Sequence, residues 1–210
     1  MEKIPFEKPE PVGRGLDFII KIKGKEYYME SPLENFMAML KAAMTYVSPY
    51  TGQCEYAEST KCKNISNTAR SACSWYSYYV WYNWANATQP AAGTSTWGIQ
   101  IGSDNTAVVI TDYKLNTQIA HGSGAGEMLY GAQTVTTGGV APNKYAKILR
   151  TFTNNTANPI DVKECGLVAY PYCQGIGPDP IMITRDVISP TISVAAADTL
   201  PLEIYLQTTA

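Results

Sequence analysis

The sequence predicts a mainly β chain: an antiparallel β-sandwich or jelly roll with one N-terminal amphipathic helix and an extended N-terminal arm. Three observations carry this expectation. The stretch Lys144–Tyr170 reads as one buried hairpin. From Trp97 onward, short alternating runs recur between turn signals, as in sandwiches and barrels. Charged residues are only 16% of the 210, against 45% hydrophobic, so there is material for a core but little for a highly charged surface. The expected organisation is an arm over 1–15 and a single domain over 16–210. That domain carries a helix near 32–46 and an aromatic- and cysteine-bearing insertion near 50–90.

The hairpin expectation rests on period two. Tyr145, Lys147, Leu149, Thr151 and Thr153 alternate with Ala146, Ile148, Arg150 and Phe152, the rhythm of a strand with one buried face. Asn154–Pro159 is a turn cluster, and Pro159 cannot donate to a central ladder. Ile160, Val162, Glu164 and Gly166 then alternate with Asp161, Lys163 and Cys165.

Taken from the start, residues 1–15 hold Pro5, Pro9 and Pro11, then Gly13 and Gly15, which predicts an extended arm. Ile4, Phe6 and Val12 are spaced along it as candidate anchors on a neighbour. Leu16–Lys23 alternates, Gly24-Lys25 suits a hairpin turn, and Glu26–Met29 returns as a short strand. Ser31-Pro32-Leu33-Glu34 spells a helix start with a capping box. Leu33, Phe36, Met37, Leu40 and Met44 follow at helical spacing, a stripe best explained by core packing.

Tyr50–Pro90 opens as a polar, cysteine-bearing stretch suited to a surface loop. It then places three of the four tryptophans, Trp75, Trp81 and Trp84, among Tyr76, Tyr78, Tyr79 and Tyr82. Such rings anchor interfaces and stack on sugars, so Trp75, Tyr79, Trp81 and Trp84 are interface or ligand-platform candidates. A strand held between the core and the chain's own loops accounts for the same residues equally well. Farther on, Trp97–Gly102, Thr106–Ile110, Glu127–Val135, Ile181–Val187 and Leu202–Thr208 read as strands. Ser189-Pro190 and Ala197-Asp198 are expected turns between the last two.

Motifs for chemistry are weak. His121-Gly122-Ser123-Gly124-Ala125-Gly126 lacks the ending of a phosphate loop and the flanking glycine of a nucleophile elbow. An esterase-like role for Ser123 and His121 is therefore disfavoured, and its glycines read as turn formers. Asp112, Glu127, Asp161, Glu164 and Asp186 show no paired-carboxylate spacing, and Thr184-Arg185-Asp186 suggests at most a local ion pair. Cys54, Cys62, Cys73, Cys165 and Cys173 include no Cys-x-x-Cys pair, and zinc is not indicated. Cys54 with Cys62, or Cys165 with Cys173, are candidate disulfides; buried thiols are favoured over either. Three sequons begin at Asn64, Asn86 and Asn154 and read as chance matches. Catalytic, cofactor-binding and metal-ligating residues are accordingly expected to be none. The net charge of −2 predicts no direct nucleic-acid contact, and no run predicts a membrane span. Met1–Pro5 lacks a signal-peptide core, which predicts synthesis in the cytoplasm.

A wider pattern is familiar. Trp97-Gly98-Ile99-x-Ile101-Gly102, Asp112-Tyr113-x-Leu115 and Ile119-Ala120-His121-Gly122 resemble uncharacterised virion structural proteins of tailed bacteriophages and related viruses. Arg150–Asn154, Val162–Leu167 and Arg185-Asp186-Val187 extend the resemblance, which covers roughly 97–210. Tyr50–Pro90 has no counterpart, Cys165 stands where isoleucine is common, and Asp198-Thr199 where a glycine usually precedes the last strand. The resemblance implies a non-enzymatic component of the virion at the capsid surface, neck or tail. Copies of itself and other virion proteins would be its partners. The alternative is a carbohydrate-binding or host-adhesion module that takes a host-surface glycan on the tryptophan platform.

Overall fold

A computed structural model describes residues 15–22, 25–28, 35, 61–71, 89–140, 144–173 and 177–209. Within them the chain is mainly β, and every ladder between named strands is antiparallel. In chain order the strands are β1 (Gly15–Ile22), β2 (Lys25–Tyr28), β3 (Lys61–Lys63), β4 (Ala69–Ser71), β5 (Gly98–Gly102), β6 (Leu129–Tyr130) and β7 (Thr134–Gly138). They continue with β8 (Tyr145–Thr153), β9 (Ile160–Ala169), β10 (Tyr172–Cys173), β11 (Gly177–Pro178), β12 (Ile181–Val194) and β13 (Thr199–Thr209). The larger sheet has the order β2-β1-β13-β8-β6, with β7 also on β8. A second sheet has the order β12-β9-β5, and β3-β4 and β10-β11 are separate two-stranded pairs.

One core joins the two larger sheets. Ile20, Ile22, Phe152, Leu200, Leu202 and Ile204 from the first meet Ile99, Ile101, Val162, Leu167, Ile181 and Ile183 from the second. Burying a side chain of this size contributes roughly 1.5–3 kcal/mol. A smaller cluster of Leu115, Val168 and Met182, flanked by Ile65, Trp97 and Val108, lies apart from it.

The strands expected at 145–153 and 160–169 form, but they are not a hairpin. β8 bonds β13, β6 and β7, whereas β9 bonds β12 and β5, so the chain crosses between sheets at 154–159. Turn residues mark where a chain reverses; they do not say which strand receives its hydrogen bonds. The link from β12 to β13 makes a second crossing, and the fully buried Asn154 ties the two together. Its N–H donates to Asp198 O at 2.9 Å, and its carbonyl accepts from Ala197 N at 2.8 Å. Its side-chain amide donates to Asn158 O and Val194 O, while Oδ1 accepts from the N–H and hydroxyl of Thr156.

Periodicity also misleads along β9. Ile160 and Val162 enter the main core, but so do Cys165, Leu167 and Ala169, so the core-facing parity changes after Val162. The change lies opposite the break in register between Val187 and Ile192. Beyond it, both faces of β9 are covered, and Glu164 and Val168 are buried.

Several boundaries move. Ile22 pairs with Lys25, so Lys25 belongs to β2 rather than to the turn expected at Gly24-Lys25. Ser189-Pro190, with a cis peptide bond, is no turn: it lies within β12 at the register break. Glu127–Val135 is divided into β6 and β7 by 131–133, where Gly131 N bonds Thr151 O but Gln133 N bonds Pro90 O. The strand expected at Thr106–Ile110 is absent because side chains take its amides. Asp104 Oδ1 accepts from Thr106 N, and Asp112 Oδ2 accepts from Val109 N.

Part of the expected surface loop, 61–71, is a hairpin fastened to the domain. Asn64 Nδ2 donates to both carboxylate oxygens of Asp179, Arg70 pairs with the same carboxylate, and Ile65 N bonds Pro180 O. The N-terminal arm before Gly15 lies outside the described residues. So does the expected helix near 32–46, except for Asn35, which is helical and donates to Lys63 O and Met182 O.

Candidate interaction surface

Two buried arginines decide how the long loops stand on the sheets. Arg185 on β12 and Glu164 on β9 are both wholly buried, and Arg185 Nε donates to Glu164 Oε2 at 2.8 Å. The guanidinium also reaches Asp112 Oδ2 at 2.7 Å and Thr106 O at 2.9 Å. Glu164 in turn accepts from Asn116 N at 3.2 Å and Thr117 N at 2.9 Å. This network clamps 104–117 onto the outer face of the β12-β9-β5 sheet. Gly102 is required beneath it, because a Cβ there would overlap the Glu164 carboxylate and Thr117 O. The clamp was not legible as a motif, since its charges lie at 112, 164 and 185 with no local spacing. Arg185 is therefore no exposed local ion pair, as Thr184-Arg185-Asp186 suggested, and two of the supposedly unconnected carboxylates converge on it.

The clamp presents an apolar apex. Val109 is 55% exposed and Ile110 63%, while Val108 packs against the smaller cluster beneath them. Asp112 N bonds Val109 O, closing the turn that holds the apex outward.

Arg150 on β8 does the equivalent for another set of loops, by different means. Its guanidinium donates to Gly131 O at 3.0 Å, Ile99 O at 3.0 Å, Trp97 O at 3.2 Å and Thr94 O. It lies 4.8 Å from the Tyr130 ring centroid, and Tyr130 meets Phe152 edge to face. Burial lowers its pKa to about 10, partly offset by Tyr130, and leaves it charged at neutral pH. Burial likewise raises the Tyr130 phenol, whose hydroxyl donates to Ile119 O at 2.7 Å.

The glycine-rich loop is shaped by Glu127. Gly124 N donates to Glu127 Oε2 at 2.8 Å, and a Cβ on Gly122 would overlap that oxygen. His121 Nδ1 accepts from Tyr130 N at 3.1 Å, so this ring nitrogen is engaged with backbone rather than with Ser123. Ser123 and His121 are both exposed.

Ile4, Phe6, Val12, Trp75, Tyr79, Trp81 and Trp84 all lie outside the described residues. The fourth tryptophan, Trp97, stacks on Tyr170 at 5.4 Å. Cys165 is a buried thiol in no disulfide, and burial, then the charges of Asp186 and Glu164, raise its pKa well above the ordinary thiol value. This removes the Cys165–Cys173 pairing. Cys62 is buried too, its sulfur donating to Asn35 O, and it is not bonded to Cys54. Asn64 and Asn154, heads of two sequons, are buried with their amides engaged, which excludes them as glycan acceptors in the folded chain.

Among the described residues, no group of three His, Cys, Asp or Glu side chains is placed to hold a metal ion. No helix among them is long and apolar enough to cross a membrane. No known protein family, curated protein or solved structure matches the chain.

Proposed function

We propose that this chain is a non-enzymatic structural protein of a virion, a β-sandwich made in the host cytoplasm that assembles with copies of itself and with neighbouring virion proteins. The observation that carries the reading is the Val109-Ile110 apex: an apolar tip held outward by a buried ion network instead of being folded inward. Burying Glu164 and Arg185 has a large desolvation cost, and apolar side chains of similar volume would often stabilise the sheet as well. What the clamp adds is a fixed loop conformation, which suits a surface that must meet another protein in one geometry. Two antiparallel sheets around one core, the low charge content and the resemblance over 97–210 support the same reading.

The test is the particle mass of the full chain in solution across a concentration series. A discrete ring, trimer or larger closed assembly weakened by Ile110→Asp supports the proposal. A chain that stays monomeric to millimolar concentration and binds immobilised glycans, with binding lost in Trp81→Ala, overturns it in favour of the adhesion module.

A further inference from the structure

On the side away from β8, the main chain of Tyr130 is held by two loops. Gly131 N donates to Thr151 O, so in the β6-β8 ladder Leu129 and Gly131 turn their backbone groups toward β8 and those of Tyr130 point away from it. There Tyr130 O accepts from Gly93 N at 2.8 Å, and Tyr130 N donates to Nδ1 of His121 at 3.1 Å. An imidazole lone pair thus stands where a neighbouring strand would offer a carbonyl.

That contact fixes the chemistry of the ring. A neutral imidazole that accepts at Nδ1 carries its proton on Nε2. A second proton must go to Nδ1, where it turns the acceptor into a donor facing the N–H of Tyr130. Tyr130 is only 1% exposed, so its amide would be left buried against a cation. The ring itself is at the surface, where protons reach it. It is the one histidine of the chain, and histidine is the side-chain type that ordinarily changes charge near neutral pH.

The groups around the ring set the direction of the response. Segment 89–97 brings Gly93 against it, where a Cβ would lie 3.3 Å from Nε2, and holds no titratable side chain. β6 brings Tyr130, edge to face at 6.1 Å, and Arg150 of β8 lies 4.8 Å from the same Tyr130 ring. The loop 121–128 brings Glu127, whose carboxylate stands beside Gly122 and accepts from Gly124 N at 2.8 Å. A charged imidazole is therefore repelled from the Tyr130 side and drawn toward Glu127, the anion of its own loop.

We propose that His121 is an acid-sensitive latch: its neutral ring fastens the glycine-rich loop 121–128 to β6, and protonation of the ring releases it. The sign follows from the bond, which is present with the ring neutral and lost as pH falls. The base of the loop stays closed by Gly122 N on Met128 O at 3.2 Å and Met128 N on Ala120 O at 3.1 Å, so the loop comes away from Tyr130 without unfolding the sheet. The latch changes what the protein presents at its surface in acid, whether or not copies of the chain assemble.

The experiment measures residue-resolved amide exchange of the full chain at about pH 7.5 and about pH 5, either side of the range in which histidines ordinarily titrate. After correction for the intrinsic pH dependence of exchange, protection of Tyr130 should fall about tenfold in acid, as one lost hydrogen bond does, while β9 keeps its protection. His121→Asn puts a side chain that does not titrate at this position, and its Tyr130 protection should be the same at both pH values. The ring nitrogen chemical shifts of the one histidine give a readout that needs no variant: at the higher pH the proton should be on Nε2. Unchanged Tyr130 protection in the acidified parent overturns the latch, as does a proton on Nδ1 at the higher pH. A pH response that survives in His121→Asn also overturns it, because carboxylates such as Glu127 would then account for the change.

Discussion

Arg150 and Arg185 are both wholly buried, one on each main sheet, yet their surroundings are electrostatic opposites. Around Arg185, burial favours loss of the proton, but hydrogen bonds and charge from Glu164 and Asp112 outweigh it and raise the pKa. Arg150 has carbonyl oxygens and the faces of Tyr130 and Phe152 instead, and burial prevails. The Arg185 site is a charge clamp whose members depend on one another. The Arg150 site is a fork, in which one planar cation satisfies main-chain acceptors from the segments 94–99 and 131. Both hold loops; only the first leaves a buried charge stranded when one partner is lost.

The largest expected effect follows from that distinction. Glu164→Ala should destabilise the fold by about 3–5 kcal/mol in urea or guanidinium titration, because Arg185 loses its buried counter-charge. The double variant Glu164→Gln with Arg185→Met should be milder than Glu164→Ala, since the charge it leaves without a partner, Asp112, is partly exposed rather than wholly buried. A double variant that is worse would mean the clamp acts by packing rather than by charge.

Arg150→Met comes next, at about 2 kcal/mol, through carbonyls of Thr94, Trp97, Ile99 and Gly131 left without their donor. Arg150→Lys should recover only part of this, because an ammonium cannot span four acceptors as a guanidinium does. Full recovery by lysine would reduce the fork to a simple positive charge.

Cys165 is a local reporter for the clamp, adjacent to Glu164 and opposite Asp186. With its thiolate suppressed by burial, it should resist alkylation in the native parent at pH 8 and become modifiable in Glu164→Ala, as read by peptide-resolved mass spectrometry. Rapid labelling in the parent would show that the clamp opens readily. The smallest change should come from Ile110→Ser, within about 0.5 kcal/mol in stability, because the apex is already in water. A larger loss would mean that the apex supports its own loop.

Strand positions were read well along the long apolar runs, even in β9, where the core-facing parity changes. The runs at 145–153 and 160–169, the short strand at Trp97–Gly102 and the last strand all form close to their expected bounds. Partnership was not legible: β8 and β9 are neighbours in sequence but belong to different sheets. Neither were the two arginines. Arg150 stands in the inward row of β8 with Ile148 and Phe152, where alternation alone assigns a hydrophobic neighbourhood and no partner. Thr106–Ile110 failed as a strand because two aspartates satisfy its amides locally, a short-range competition that β-propensity does not register.

By itself, the sequence determined the mainly β character and some of the turns, as at Ala197-Asp198 but not at Ser189-Pro190. These depend on alternation, proline and glycine geometry, and residue spacing, all of which act over a few positions. Tertiary structure alone decided that Asn154 would join two sheet crossings and that Asp112 and Glu164 would converge on Arg185. It also decided that β8 would take β6 and β7 along one edge and β13 along the other. The partners in each case are brought together across tens of residues, and a side chain's hydrogen bonds and charge acquire their strength only once that folding has removed the water between them.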